Sequence, residues 1–151
     1  MADDQTYKPL TMTRTFQASR EKVWDAWTNP DAFSKWWSPD GFTVPTCELD
    51  VHVGGRAYVV MRGPDGTDFP MESTYEVVTK PERIVWLNRP LDKEGKPLFE
   101  IRQTITLTED GTSTTLEITA EVVSAGPDAA PYLSGMEEGL TQSLQKLSNL
   151  F

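Results

Sequence analysis

The chain has 151 residues, a length that is typical of one domain with its own hydrophobic core. Its 14 lysines and arginines against 23 aspartates and glutamates give a net charge of −9, which argues against binding nucleic acid or an anionic membrane. One cysteine excludes an internal disulfide, one histidine excludes a multi-histidine metal site, and no apolar run reaches the length of a membrane span.

The N-terminal part predicts a polar tail followed by a strand. Residues 1–8 are polar, and we expect them to form a flexible tail before a single domain over residues 9–151. Over residues 9–17, threonines alternate with larger side chains, a period of two that is typical of a β-strand.

Two short helices are expected after this strand. Ser19 is a suitable N-cap for a helix that places Val23 and Trp27 on one face and ends before Pro30. A second helix is predicted over about residues 31–37. The prolines and glycine that follow, up to Pro45, indicate a loop.

The rest of the chain predicts an antiparallel sheet and a long helix. From Cys47 to about Val122, six alternating segments are separated by turn residues, and one of these segments is expected to end at Gly54 and Gly55. Six apolar residues spaced three or four apart then run from Leu133 to Phe151, as on one face of a helix. The sequence therefore predicts an α+β fold, with about seven strands in one sheet and the C-terminal helix covering its apolar face.

Several polar residues share the predicted inward face of a strand with apolar ones. Arg14, Ser73, Asn88 and Gln103 all stand in this position. Because a buried polar group without a partner costs about 1–3 kcal/mol, each either pairs with a neighbour or points into a cavity, where it would orient a mostly apolar ligand.

The predicted helices carry two further patterns. Trp36 and Trp37 are adjacent and cannot both face the core from a regular helix, so we expect one to line a cavity mouth or an exposed patch. Gly135, Gly139 and Ser143 form a stripe on the last helix, and each glycine costs about 1 kcal/mol relative to alanine. Either a close approach of the sheet or room for a ligand could offset that cost.

Asp50 and His52 are candidates for acid–base chemistry. If the segment is a strand, residues two apart share a face, whereas Cys47 lies on the opposite face. This parity disfavours a Cys–His nucleophile or metal site. The alternative is an ordinary surface pair beside a turn.

An ordered set of motifs resembles the START-like (SRPBCC) superfamily, in the branch named for the activator of the 90-kDa heat-shock protein ATPase. The resemblance covers about residues 10–151, and it implies a helix-grip (START/Bet v-like) fold: a curved antiparallel sheet around a long C-terminal helix, with two short helices after the first strand. The motifs are Val23-Trp24-x-Ala26-Trp27-Thr28-x-Pro30, Trp36-Trp37, Asp50-x-His52-x-Gly54-Gly55, Met61-Arg62-Gly63-Pro64-Asp65-Gly66, Pro81-Glu82-Arg83-Ile84 and Gly135-Met136-x-x-Gly139.

Two positions depart from the family pattern. His52 replaces the usual arginine, and Leu140 replaces the usual tryptophan after the second glycine of the last helix. A smaller side chain at an inward position leaves space unless its neighbours collapse into it, so we expect an enlarged or reshaped cavity.

From these patterns we expect non-catalytic binding of a small hydrophobic or amphipathic molecule between the sheet and the last helix, with no metal or cofactor, in a cytoplasmic monomer or homodimer. Two alternatives stay open. One is a chaperone-associated interaction module of the stress response, with an exposed Trp36/Trp37 patch. The other is a cyclase- or hydrolase-type enzyme using Asp50 and His52 or Arg14. The candidate ligand-binding residues are Arg14, Trp37, Phe42, Met61, Tyr75, Trp86, Gln103, Tyr132, Met136 and Leu140.

Overall fold

The computed structural model describes residues 8–126 and 133–151. Most of the predicted tail, residues 1–7, and the candidate Tyr132 lie outside these residues. The elements in chain order are β1 (Leu10–Phe16), α1 (Arg20–Thr28), α2 (Pro30–Phe33), β2 (Thr43–Leu49), β3 (Arg56–Arg62), β4 (Asp68–Thr79), β5 (Arg83–Pro90), β6 (Phe99–Asp110), β7 (Ser113–Ala125) and α3 (Met136–Ser148).

The seven strands form one curved antiparallel sheet in the order β1-β7-β6-β5-β4-β3-β2. Each strand from β2 to β6 pairs with the next strand along the chain, and the last strand, β7, also pairs with the first strand, β1. The burial of side chains alternates most clearly in β6, where the residues from Phe99 to Leu107 are buried at every second position. This arrangement confirms the predicted α+β helix-grip fold.

Local hydrogen bonds explain where the two short helices begin. The Ser19 hydroxyl accepts a hydrogen bond from the backbone N–H of Lys22, so Ser19 caps α1 as predicted. The Asn29 side chain accepts from two backbone N–H groups in the first turn of α2, which starts at Pro30. Proline fits this first position because it has no N–H group to satisfy.

The prediction of a second helix reaching residue 37 was wrong. α2 ends at Phe33, and Trp36 and Trp37 lie in the turns that follow it. Outside a regular helix, two adjacent side chains can both turn inward. Trp36 and Trp37 are accordingly both buried, with 0% and 7% of their surface exposed, so the predicted exposed tryptophan patch is absent.

The start and end of β2 also differ from the prediction. β2 contains Pro45, and its register with β3 shifts between Thr43 and Thr46. Such irregular pairing on an edge strand accommodates a proline that cannot donate to the sheet. β2 ends at Leu49, so the segment from Asp50 to Gly55 is a turn rather than the end of a strand.

The C-terminal helix covers the inner face of the sheet with its apolar stripe. α3 buries Leu140, Leu144 and Leu147. The helix is shorter than the predicted pattern, because Phe151 lies beyond its end and packs edge-on against Phe16, with 5.7 Å between the ring centres. In the part of the chain that the structure describes, no helix has the length and apolar character needed to cross a membrane.

Candidate functional site

A cavity of about 400 Å³ lies between the sheet, the loop 38–42 and α3, and it is partly open to solvent. This volume is within the range of small-molecule sites, which is about 300–1,000 Å³. The wall is mostly apolar, with side chains from all three parts of the fold. Prominent examples are Met61, Met71 and Ile101 from the sheet, Pro39 and Phe42 from the loop, and Met136 and Leu140 from α3.

The structure brings six of the ten candidate residues into the cavity wall: Trp37, Phe42, Met61, Gln103, Met136 and Leu140. Tyr75 and Trp86 do not line it. They stack on each other in the core, each 1% exposed, because β4 and β5 place them directly opposite one another. Arg14 is half-buried on the inner face of β1 but lies outside the cavity, and its guanidinium donates to the Thr13 carbonyl.

Trp37 forms a rigid part of the wall because other rings surround it. Its ring centre lies between 5.0 and 5.8 Å from those of Trp27, Phe33, Trp36 and Trp86. Aromatic pairs in these edge-on and stacked arrangements contribute beyond their buried area. Of these five rings, only that of Trp37 borders the cavity.

Two buried carboxamides, those of Gln103 and Asn88, also line the cavity, and they are only 5% and 4% exposed. The indole N–H of Trp86 donates to the Gln103 amide oxygen at 2.8 Å. The Ser73 hydroxyl donates to the Asn88 amide oxygen at 2.6 Å. Since an indole N–H can only donate, this contact fixes which end of the Gln103 amide faces the core.

The amino groups of these two amides remain available. Among the described residues, neither Gln103 Nε2 nor Asn88 Nδ2 has a hydrogen-bond partner. Both explanations that the sequence offers for an inward-facing polar residue therefore apply to Gln103 and Asn88. Each amide oxygen pairs with a neighbouring side chain, and each residue also lines the cavity. Ser73 pairs with Asn88 but does not line the cavity.

The small residues predicted to form a stripe on the last helix lie along the cavity, and Gly135, Gly139 and Ser143 all border it. The prediction was wrong for Gly135, which is the N-cap of α3 and not a residue of the helix itself. A Cβ atom placed on Gly139 would meet only Pro39 Cγ at 3.7 Å, which is an ordinary contact. The glycine therefore leaves room in the cavity and is not required by a close approach of the sheet.

Polar contacts tie the loop 38–42 to α3. The Lys146 ammonium donates to the Ser38 hydroxyl and to the Pro39 carbonyl, both at 3.0 Å. The backbone N–H of Asp40 donates to the Gln142 side chain at 2.9 Å. Burial lowers the pKa of Lys146 below its usual range. These contacts hold the loop that carries Phe42 against the helix.

The Asp50–His52 pair is on the surface and outside the cavity. His52 Nδ1 lies 2.9 Å from Asp50 Oδ1, and both side chains are more than 60% exposed. The pair lies in the turn that follows β2 and cannot act on a molecule in the cavity. Burial raises the pKa of the Cys47 thiol to about 11, so the thiol stays protonated at neutral pH. Within residues 8–126 and 133–151, no cluster of three acidic, histidine or cysteine side chains could hold a metal ion.

Sequence reasoning missed part of the wall. The start of β4 contributes Phe69 and Pro70, the end of β5 contributes Pro90, and the start of β6 contributes Phe99. The alternation of β6 could have identified Phe99, because it is in phase with Gln103. The positions of the prolines depend on how the strands align, which no local pattern gives.

Comparison with known proteins agrees with this architecture. A protein from Chromobacterium violaceum with a crystal structure is 28% identical, with a TM-score of 0.82 over 99% of this chain and 97% of that one. A crystal structure from Nitrosomonas europaea is 26% identical, with a TM-score of 0.80 over 94% and 92% of the two chains. The AHSA1 protein from Silicibacter pomeroyi, at 22% identity and a TM-score of 0.80 over 94% and 96%, shares the fold.

At the sequence level, no curated protein matches the chain significantly. The profile of one family does match, over residues 17–151. That range includes both short helices, β2 to β7, and the helix that closes the cavity. The chain therefore belongs to the family described as Activator of Hsp90 ATPase homolog 1-like protein, a START-like branch with the helix-grip fold.

Proposed function

We propose that this protein binds a small, mostly apolar molecule in the cavity between the sheet and α3, without transforming it. Membership of the family supports a ligand-binding or adaptor type of domain in general. The observation that carries the more specific proposal is the cavity itself, about 400 Å³ and walled by apolar side chains.

The chemistry of the wall supports binding rather than catalysis. Among the described residues that line the cavity, none is a histidine, a cysteine or a charged residue. The wall provides apolar surface, a fixed aromatic ring and a few hydrogen-bonding groups. These features hold and orient a ligand but supply no activated nucleophile or general base.

The tryptophan side chains on which the chaperone-associated adaptor hypothesis was based are not exposed. That hypothesis expects an exposed apolar patch, for which Trp36 and Trp37 were the candidates, and both rings are buried in the aromatic cluster. Among the described residues, the exposed large apolar side chains are those of Val53, Val123, Leu150 and Phe151, and none of them is a tryptophan. The cavity is therefore the feature on which we base the function.

A titration with Nile red, a neutral apolar dye, tests the proposal. We expect the dye to become fluorescent on binding and to raise the melting temperature of the protein. A ligand at 100 times its dissociation constant stabilises the folded state by about 2.7 kcal/mol. For a chain of this size, that corresponds to a shift of roughly 5–10 °C.

A cavity-filling variant identifies where the dye binds. Leu140 lines the cavity, and Leu140→Trp would occupy part of its volume, so we expect the affinity for the dye to fall at least tenfold. Gln145→Trp on the exposed face of α3 is the matched control and should bind like the parent protein. Equal dye binding by both variants would place the dye on the surface and contradict the proposal.

A further inference from the structure

We infer that the molecule bound in the cavity is uncharged and carries an acceptor oxygen of the carbonyl type, held by the amide N–H groups of Gln103 and Asn88. This inference rests on the proposed function and adds the chemical class of the ligand. It depends on the hydrogen bonds that already hold the two amides from the core side.

The sheet fixes both amides before any ligand arrives. Trp86 and Gln103 are direct neighbours across β5 and β6, and Ser73 and Asn88 are direct neighbours across β4 and β5. In each pair the core residue donates to the amide oxygen. Both amides therefore have their oxygen occupied and their amino group left over, and both line the same cavity.

The unpaired amide N–H groups of Gln103 and Asn88 favour a ligand that carries a hydrogen-bond acceptor. A purely apolar ligand would displace water from the two amino groups and leave buried N–H groups without partners, which is costly. A carbonyl oxygen replaces the displaced water and accepts from the amides. The remaining wall is apolar, so one acceptor on an otherwise apolar body is the best match.

The charges around the cavity favour a neutral molecule. No charged side chain is among the described lining residues. The Lys146 ammonium donates to Ser38 and Pro39 but is not itself among the lining residues. An anion entering the cavity would lose its hydration without a counter-charge in the wall, which disfavours carboxylates.

Three naphthalene compounds of similar shape test this inference: 2-acetylnaphthalene, which is a ketone, 2-isopropenylnaphthalene, which lacks the oxygen, and the anion 2-naphthoate. Their affinities can be compared at pH 7 by quenching of tryptophan fluorescence. We expect the ketone to bind about tenfold tighter than the hydrocarbon, which is the effect of roughly one hydrogen bond. We expect 2-naphthoate to bind at least tenfold more weakly than the ketone.

Two double variants assign the effect to the amides. Ser73→Ala/Asn88→Leu and Trp86→Phe/Gln103→Leu each remove one amide together with its core donor, so no buried polar group is left unpaired. Each should reduce the advantage of the ketone over the hydrocarbon to about threefold or less. If one variant fails to fold, the other still provides the test.

The outcomes separate this inference from the proposed function. Equal binding of ketone and hydrocarbon would overturn the role of the amides but leave ligand binding intact. Binding of 2-naphthoate as tightly as the ketone would overturn the restriction to neutral molecules. Failure of all three compounds and of Nile red would instead overturn the proposed function.

Discussion

The contact between Trp86 and Gln103 joins the core of the protein to its cavity. Residue parity predicted that Gln103 faces inward, and the structure agrees, with Gln103 5% exposed. Parity could not give its partner, because that depends on the alignment of β5 with β6, which places Gln103 opposite Trp86. The same limit explains Tyr75 and Trp86, whose inward position was clear but whose depth behind the wall was not.

Replacing Gln103 should therefore affect stability as well as binding. In Gln103→Leu, the Trp86 indole N–H loses its acceptor at a site that is 1% exposed. We expect the free energy of unfolding to fall by about 1–3 kcal/mol, the usual cost of a buried unpaired donor. Urea denaturation measures this change. Thr104→Val, on the opposite face of the same strand, should change stability by less than about 0.5 kcal/mol.

At the scale of secondary-structure elements, the prediction succeeded for long segments with a regular pattern and failed for short segments that contain or adjoin turn residues. The strands β4, β6 and β7 follow an alternating pattern over most of their length, and α3 follows its leucine stripe. α2 has only four residues, which is too short to show a helical period. The sequence pattern therefore could not show that the helix ends before Trp36 and Trp37. The sequence places Pro45 in a loop, because edge pairing with a shifted register leaves no local signal.

The two kinds of glycine in this fold lead to opposite expectations. Gly139→Ala adds a methyl group that meets only Pro39 Cγ at 3.7 Å, so the gain in helix propensity should stabilise the protein by up to about 1 kcal/mol. In Gly55→Ala, the added Cβ would overlap the Asp50 carbonyl oxygen, so the turn must shift and stability should fall. Thermal unfolding of the two variants tests the contrast. A lower melting temperature for Gly139→Ala would show that the helix needs this glycine for packing.

At the scale of the whole molecule, the cavity exists because distant parts of the chain meet around it. The loop 38–42 and α3 are about a hundred residues apart in sequence, and Lys146 and Gln142 connect them. The predicted architecture and the inward-facing polar residues indicated a space between the sheet and the helix, but not these contacts. Side-chain hydrogen bonds between remote segments leave no periodic pattern in the sequence. The sequence therefore could not predict that the loop 38–42 packs against α3 at the edge of the cavity.

The contact between the C-terminal residue, Phe151, and the first strand can also be tested. Phe151, just beyond the helix, packs edge-on against Phe16 at the end of β1, while the adjacent Leu150 has a similar exposure, 44% against 40%. Aromatic pairs of this kind contribute about 0.5–1.5 kcal/mol, so Phe151→Ala should lower the free energy of unfolding by about 1 kcal/mol. Leu150→Ala, which removes a similarly exposed side chain from outside that ring pair, should change it by less than about 0.5 kcal/mol. Urea denaturation of both variants gives the comparison, and equal effects would mean that the ring contact adds nothing to holding α3 against the first strand.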